Sequence, residues 1–479
     1  MKSIWLKLLC SLFFLGLAAG CSGAEVDKFS FSSGRDESGE NEQPIKPGES
    51  VVLEDETLSQ TGLEDTDMTL KGLSSLYLTG SADQVLVGSI VNLASDDAWL
   101  FLPGVSRQEW ASEELANHVQ IGGQSMKDGS NCVLQNYYNG LFVKPVPSMS
   151  FSAAELWAEG SAESKPVALD KVYAGVEIPV GDNALSKIFL KRGFMMTVAE
   201  NEDGTGAGKV YVATDRSQEI TLGAELAGKV SFLRIVPWNY VCKRGCGGDF
   251  ARKEEIGATW FYSWSTKFET TPEMDYVPMF WGNATQESVS AVVAKSRTNH
   301  VLAFNEPDGE DQSNLTVEKA LERYPAILRT GLRVGSPACR ESQWKNWLAD
   351  FMAGCAERGY RVDFIAIHWY DWGNWGSTQD LSPEDIDAMV KRFKNNIDNC
   401  YAMYKLPIWI TEFNANKNRL TDIQIRFLEK AIPMLEAHPH VERYAYFQPN
   451  GGNGDFLKGD ALTDVARAYD CMPSQPSIH

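Results

Sequence analysis

Two glutamates stand where short apolar runs end in the C-terminal half of the chain. Glu306 follows residues 301–304 in the segment HVLAFNEPDG, and Glu412 follows residues 408–410 in LPIWITEFN. A buried strand that ends on a carboxylate aims that group out of the sheet edge, and core packing gives no reason for this arrangement. Two such carboxyl groups, one protonated and one ionised, can donate a proton and attack an electrophilic carbon.

Other apolar runs in this half of the chain end in a similar way. Their ends carry further polar or aromatic residues, which are Trp264, Trp281, Asn305, His368, Trp369, Tyr370, Phe447 and Gln448. Polar groups that collect at one end of so many strands predict a binding cleft.

The elements that position these residues alternate between strand and helix. Seven apolar runs between 258 and 450, and an eighth near VCKRGCGGD, are separated by helical segments. This pattern predicts an α/β fold, a (β/α)8 TIM barrel over 233–479. An open doubly wound sheet is the alternative, but no strand is followed by a glycine-rich dinucleotide loop. In a barrel, strands 4 and 7 would bring Glu306 and Glu412 to opposite sides of the mouth.

Two glutamates on facing strands can flank a scissile glycosidic bond, and retention requires one as acid and one as nucleophile, with pKa values pushed apart. Asn305 is suited to bind a sugar 2-hydroxyl, and His368 and Tyr370 to hold Glu412 ionised. Trp264, Trp281 and Trp369 could stack on sugar faces. The alternatives are an exposed ion-pair partner for a strand-end glutamate and a structural role for a lone histidine.

Six segments in this order, YVPMFWG, LAFNEPD, VGSPA, VDFIAIHWY, PIWITEF and VERYAYF, resemble the catalytic core of glycoside hydrolase family 128. The resemblance spans about 240–450 and includes KRG at 243–245. It implies a retaining endo-β-1,3-glucanase acting on laminarin or curdlan, with Glu306 as acid/base and Glu412 as nucleophile. The loops DWGNWGSTQD and FQPNGGNGDF depart from the family, so endo or exo action and chain-length preference stay open.

Two other functions fit the same residues. One is a surface glycan-binding lipoprotein without turnover, although the intact glutamate pair argues against it. The other is a hydrolase of the same clan that cleaves β-1,4-glucan or β-mannan. Neither a metal nor an organic cofactor is expected, because two carboxyl groups and water suffice for glycoside hydrolysis.

The N-terminus predicts export and lipidation. Lys2 and Lys7 precede an apolar run over 8–17, and LAAGC resembles a bacterial lipobox with Cys21 as the acylated residue. An ordinary cleaved signal is the alternative. We expect residues 1–21 to be a lipoprotein signal peptide, and the protein to be held on a bacterial membrane only by its lipid, at the cell surface or facing the periplasm. Residues 22–65 are expected to form a flexible acidic tether.

Residues 66–232 read as an all-β accessory module, because short β-branched or aromatic runs alternate with Gly, Asn and Asp turns. Stacked β rungs and a sandwich both fit its first part. Five aromatic residues could form a glycan-binding face or pack the core, and packing is favoured; they are Trp99, Trp110, Tyr137, Tyr138 and Trp157.

Composition narrows the partners. The 479 residues include 44 basic and 64 acidic side chains, a formal charge of −20, which disfavours nucleic acid and other polyanions. Nine cysteines, two of them in or next to the signal, do not form a disulfide framework. We expect a monomer whose partner is a polysaccharide or oligosaccharide.

Overall fold

The computed structural model describes residues 45, 47–80, 86–104, 116–137, 140–148, 151–214, 216–271, 273–372, 379–449 and 452–477. The predicted signal peptide with Cys21, most of the predicted tether, and the aromatic residues Trp110 and Tyr138 lie outside these residues. Within them, no helix is both long and apolar enough to cross a membrane.

Stacked parallel rungs build the first β region. Its strands are β1 (Ser50–Glu54), β2 (Thr57–Gln60), β3 (Leu63–Glu64), β4 (Asp67–Lys71), β5 (Ser75–Leu78), β6 (Leu86–Val87), β7 (Val91–Leu93), β8 (Trp99–Pro103), β9 (Val119–Ile121) and β10 (Gln124–Ser125). β1, β4, β7 and β9 pair in parallel, as do β2, β5 and β8. Leu53, Leu70 and Leu93 are therefore neighbours in consecutive rungs and form a buried ladder. The prediction of a tether over 22–65 was wrong for residues 50–64, whose apolar side chains supply the first rung.

A hairpin of β11 (Cys132–Tyr137) and β12 (Gly140–Pro145) completes one sheet of the rungs by pairing with β8. Beyond it lies a sandwich of two four-stranded antiparallel sheets around one apolar core. Its strands are β13 (Ala154–Ala158), β14 (Ser164–Pro166), β15 (Val172–Ala174), β16 (Leu185–Leu190), β17 (Phe194–Ala199), β18 (Gly208–Ala213), β19 (Gln218–Thr221) and β20 (Phe232–Pro237). Rungs form the first part of the region, and the sandwich is confined to its second part.

The boundary predicted between residues 232 and 233 falls inside the sandwich. β20 pairs with β17 along its whole length, from Phe232 opposite Ala199 to Pro237 opposite Phe194. The sandwich therefore extends to Pro237, since the apolar run at 232–236 is an inner strand of its sheet.

Eight parallel strands form the C-terminal half. They are β21 (Arg244–Gly247), β22 (Trp260–Tyr262), β23 (Asp275–Tyr276), β24 (His300–Val301), β25 (Arg333–Val334), β26 (Ile365–Tyr370), β27 (Ile408–Asn414) and β28 (Val441–Phe447). Six are joined in the order β23-β22-β21-β28-β27-β26, and β24 pairs with β25. Single bridges join β23 to β24 through Met279 and Leu302, and β25 to β26 through Gly335 and Phe364. The ring is closed, and the predicted barrel behind an all-β region is confirmed.

Helices follow most of these strands and cover the ring. They are α1 (Gln286–Val293), α2 (Val317–Leu328), α3 (Trp347–Arg358), α4 (Pro383–Tyr404), α5 (Thr421–Ala437) and α6 (Asp464–Tyr469). Polar caps fix where several of them begin. At α4, Ser382 accepts a hydrogen bond from the Asp385 N–H while the Asp385 carboxylate accepts one from the Ser382 N–H. A short β29–β30 hairpin, Leu457–Lys458 and Ala461–Leu462, precedes α6.

The last residues of the chain return to the first barrel strand. β21 pairs with β28, and Arg244 donates to the Met472 carbonyl at 2.5 Å. The Lys243 N–H donates to the Gln475 carbonyl at 2.9 Å, and the Ser477 N–H to the Val241 carbonyl at 2.9 Å. The ring is thus closed by segments about 200 residues apart in the chain.

The β regions also pack on the barrel. Arg234 of β20 is fully buried and donates to two barrel carbonyls, Thr330 at 2.5 Å and Val293 at 2.8 Å. A Cβ at Gly331 would lie 2.7 Å from the Cβ of Arg234, so this close approach requires glycine. Trp99 packs in the core against Phe142, as favoured in the sequence analysis.

Candidate active site

The carboxyl ends of β24 and β27 bring Glu306 and Glu412 together. Both side chains are buried, and an oxygen of each lies within 4.8 Å of the other and of a ring nitrogen of His368. A carboxyl separation of about 5–5.5 Å is typical of glycoside hydrolysis with retention, whereas inversion requires about 6.5–9.5 Å. The two glutamates predicted at the ends of barrel strands 4 and 7 therefore lie close together in the structure.

Three donors hold the Glu412 carboxylate. Tyr262 Oη and Trp264 Nε1 donate to Oε1 at 3.1 and 3.0 Å, and the Tyr370 hydroxyl donates to Oε2. Burial and the Glu412 charge raise the pKa of Tyr262 and of Tyr370 well above the ordinary value, so both hydroxyls keep their protons. Oε2 faces Tyr370 and His368, and Oε1 faces Trp264.

Two cationic donors hold the other carboxyl. His368 Nδ1 lies 2.9 Å from Glu306 Oε1, and Arg340 Nε donates to Oε2 at 3.1 Å. Burial raises the pKa of Glu306, but the hydrogen bonds and charges of His368 and Arg340 outweigh burial and bring it below the ordinary value. In the structure without substrate, the neighbours of Glu306 therefore favour its ionised form.

His368 lies between the two glutamates. Its ring is fully buried, and Nδ1 is 3.5 Å from Glu412 Oε2 as well as 2.9 Å from Glu306 Oε1. Burial lowers the pKa of His368, but the charges of Glu412 and Glu306 outweigh it and raise the pKa above the ordinary value. Sequence reasoning placed His368 beside Glu412, and its shorter contact is with Glu306.

Two cleft residues have left-handed backbone conformations. The φ angles are +38° at Glu306 and +44° at Trp264. Neither residue is glycine, and such conformations cost about 1–2 kcal/mol for a residue with a Cβ. They aim the Glu306 carboxyl and the Trp264 N–H at the centre of the site, where strained backbone is often concentrated.

Two depressions meet at the glutamate pair. The first, here the Trp281 side, contains most of the predicted binding residues, and its lining includes Trp264, Trp281, Asn305, Phe447 and Gln448. The second, here the Trp372 side, is lined by Arg340, Glu341, Tyr370, Trp372, Asn414 and Lys417, among others. Glu306, Gln312, Glu412 and Phe447 line both. The cleft therefore runs past the pair in two directions.

The predicted binding residues differ in solvent exposure and in the contacts that they already make. The Trp281 side chain is 40% exposed and offers an open face. Asn305 Nδ2 donates to Gln312 at 3.3 Å, and Gln448 Oε1 accepts from the Phe456 N–H at 2.9 Å. Phe447 packs edge-on between Trp264 and Tyr370.

The prediction that Trp369 stacks on a sugar was wrong. Its ring is 1% exposed and stacks on Phe393 at 4.4 Å and on Phe427 at 5.5 Å, beneath α4 and α5. Side chains alternate along a strand, so His368 and Tyr370 face the barrel mouth while Trp369 faces the helices. Trp264 keeps its place at the mouth, where its N–H contacts Glu412.

The trio of Glu306, His368 and Glu412 offers one nitrogen and two oxygen donors, the kind of set that a divalent cation can use. Arg340 already occupies Glu306 Oε2, however, and the Tyr262, Trp264 and Tyr370 donors occupy Glu412. Hydrogen-bond donors thus surround both carboxylates, and this arrangement suits proton transfer better than it suits the binding of a cation.

Residues 244–469 match the family model of the glycosyl hydrolase catalytic core. This match covers slightly less than half of the chain and lies within the barrel. This core is similar to a family 128, subgroup I, endo-β-1,3-glucanase of Amycolatopsis mediterranei solved with laminaritriose: 30% identity, 48% of this chain, 99% of that chain, TM-score 0.42. A subgroup III curdlan-specific exo-β-1,3-glucanase of Blastomyces gilchristii is 27% identical, covers 48% of this chain and 98% of its own, and has a TM-score of 0.38.

A curated relative of this chain is alkali-sensitive linkage protein 1 of Schizosaccharomyces pombe. It is 29% identical over an alignment of 264 residues that covers 50% of this chain. This chain spans 44% of the length of that relative.

Sequence reasoning missed several residues that contact the two glutamates or line the cleft. Tyr262 was one of them. It lies two residues before Trp264 at a strand end, and side chains two residues apart on a strand share a face, so the sequence did contain a signal for it. Arg340, Glu341 and Gln312 were others, and they lie in loops where no periodicity marks the side chains that enter a cleft.

Proposed function

We propose that the protein is a retaining glycoside hydrolase of β-1,3-glucan, with Glu306 as general acid/base and Glu412 as nucleophile. The observation that carries the proposal is that one oxygen of Glu306 and one of Glu412 lie within 4.8 Å of each other, with His368 in contact with both carboxylates. The β-1,3 linkage is proposed because the β-1,3-glucanase to which this chain is similar was solved with laminari-oligosaccharides.

In the first step, Glu412 attacks the anomeric carbon while Glu306 protonates the departing glycosidic oxygen. The carbon–oxygen bond to the leaving sugar breaks, and an ester bond to Glu412 forms. In the second step, Glu306 takes a proton from water, and the resulting hydroxide displaces Glu412. The product regains the configuration of the substrate, and both carboxyl groups return to their starting state.

Glu306 must hold a proton for the first step. Its two cationic neighbours favour the ionised form when no substrate is present. A sugar chain that fills the cleft excludes water, and a drier environment raises the pKa of a carboxyl group. His368 Nδ1, 2.9 Å from Oε1, is placed to share its proton with Glu306.

The cleft continues on both sides of the glutamate pair, as internal cleavage requires. We therefore propose endo action. Products of mixed chain length early in digestion would support it, whereas a single short product released from chain ends would contradict it.

The decisive experiment is a digest of laminarin and curdlan by the wild type, Glu412→Ala and Glu306→Ala, with products resolved by size and linkage. The wild type should release β-1,3-linked oligosaccharides and the variants almost none. Azide should rescue Glu412→Ala and give an α-glycosyl azide, because a small anion replaces the missing nucleophile. Glu306→Ala should keep some activity on substrates with good leaving groups.

The same digest separates the alternatives. Cleavage of β-1,4-glucan or β-mannan alone would preserve the mechanism and contradict the substrate. Binding of glucan without any product would contradict hydrolysis altogether.

A further inference from the structure

The two depressions take different parts of the substrate. Asn305, the residue suited to the 2-hydroxyl of the attacked sugar, lines the Trp281 side. On the Trp372 side, Glu306 Oε2 accepts from Arg340, which lines this depression, whereas Oε1 contacts the fully buried His368, so Oε2 is the oxygen that faces this depression. The acid must protonate the leaving oxygen, so the departing part of the chain lies on the Trp372 side.

Trp372 is an exposed aromatic side chain at the rim of that depression. It is 65% exposed, the highest value among the described tryptophans that line either depression. Its backbone position is anchored by the preceding residue, because the buried Asp371 carboxylate accepts from Arg392 at 2.6 Å and from Arg419 at 3.4 Å. An anchored ring with a free face is suited to stack on the apolar face of a sugar.

Glu341 supplies the polar counterpart. It is half-buried in the same depression, and its Oε2 accepts the Tyr370 N–H at 3.2 Å, while Oε1 has no hydrogen-bond partner in the part of the chain that the structure describes. Burial and the charge of Asp371 outweigh the Tyr370 N–H and Arg392, and the pKa of Glu341 is raised to about 7. A carboxyl group of this kind can donate to or accept from a sugar hydroxyl near neutral pH.

We propose that Trp372 and Glu341 form a sugar-binding subsite for the glucosyl unit on the leaving-group side of the cleaved bond. The ring stacks on the sugar, and the free carboxyl oxygen binds one of its hydroxyls. This inference rests on the proposed function and adds to it which residues select substrates with a sugar leaving group.

The test compares two substrates in the full-length protein. Laminarihexaose places sugar on both sides of the glutamates, whereas 4-nitrophenyl β-laminaribioside has a nitrophenyl leaving group and no sugar on the Trp372 side. The variants are Trp372→Ala, Trp372→Phe and Glu341→Gln, where glutamine can still accept the Tyr370 N–H. Met403→Ala is the control, because this side chain is 49% exposed on α4 and lines neither depression.

Trp372→Ala should raise KM for laminarihexaose about tenfold, the amount expected for a lost stacking contact. The rise should exceed that on the nitrophenyl substrate by about fivefold or more, and Trp372→Phe should recover most of it. Glu341→Gln should raise KM for laminarihexaose several-fold and weaken transfer of glycosyl groups to added laminaribiose. Met403→Ala should match the wild type on both substrates.

Equal losses on the two substrates, or no loss in any variant of an active enzyme, would overturn this subsite while leaving the proposed function intact. A wild type that cleaves neither substrate would overturn both.

Discussion

His368 separates two carboxylates that would repel each other if nothing lay between them. Despite burial, the charges of Glu412 and Glu306 raise the pKa of His368 above its ordinary value, which favours a proton on the ring between them. His368 Nδ1 lies 2.9 Å from Glu306 Oε1, close enough for a proton to pass between the two side chains. In the proposed mechanism, His368 is the group that supplies Glu306 with the proton for the first step.

Arg340 is expected to set the upper pH limit of activity. Its guanidinium stabilises ionised Glu306, so Arg340→Ala should raise the pKa of that carboxyl and let it keep its proton to higher pH. We expect the alkaline limb of kcat/KM to move up by about one pH unit, the low end for loss of a neighbouring charge, because Arg340 is partly exposed. The pH profile on laminari-oligosaccharides from pH 4 to 10 measures it.

Arg340→Lys is the matched control, since it keeps a positive charge near Glu306, and its shift should be smaller. An alkaline limb that stays in place or moves down in Arg340→Ala would show that Arg340 does not govern this proton.

At the scale of elements, the residues at the strand ends were the strongest sequence evidence for the fold and for the site. Apolar runs that end in Glu306, Glu412 and His368 predicted the barrel and its mouth, because core packing does not require polar groups at the end of a buried strand. The alternation within β26 was overlooked for Trp369, although it follows from strand geometry alone.

Loops and long-range pairing were harder to predict. Glu341 lies in a loop, and its entry into the cleft depends on where β26 runs beside it. The choice between rungs and a sandwich depended on which strands pair, and short alternating runs such as 67–71 fit both. The predicted tether extended into residues that are folded. Strand β1 of the first rung has only one buried residue, Leu53, so its sequence gave little indication of a packed strand.

The burial of Trp369 leads to a stability prediction. Trp369→Ala should lower the free energy of unfolding by about 3–5 kcal/mol, since it removes a large ring from between α4, α5 and the sheet. Trp281→Ala should change stability little and raise KM, because its ring is 40% exposed in the cleft. Urea unfolding together with kinetics on laminari-oligosaccharides separates the two effects. The reverse pattern would contradict both assignments.

At the scale of the whole molecule, the β sandwich and the barrel share a buried contact. Arg234→Met should destabilise the protein by about 3 kcal/mol, because two barrel carbonyls lose a charged donor. Lys209→Met, an exposed change on β18 of the same sheet, is the control and should have little effect. Urea unfolding followed by fluorescence gives both values. Equal effects would show that the Arg234 contact contributes nothing.

The membrane anchor remains a prediction from the N-terminal sequence, and Cys21 is its test. In a bacterial host, the wild type should sediment with membranes and be released by detergent, because an acyl chain partitions into the bilayer. Cys21→Ser should leave the protein in the soluble fraction. Identical fractionation of the two proteins would contradict lipidation at Cys21.

The pairing of β21 with β28 has a consequence for how the protein is made. A ribosome adds about 5–20 residues per second, so β21 emerges about 10–40 s before β28, its neighbour in the ring. Met472 and Gln475, which bond to Arg244 and Lys243, arrive later still. Through this interval a nascent chain already contains Glu306 and later Glu412, yet it has no closed ring to hold them. The two glutamates can therefore be brought together only after β28 has been made, and a chain cut short before β28 carries both glutamates without a cleft.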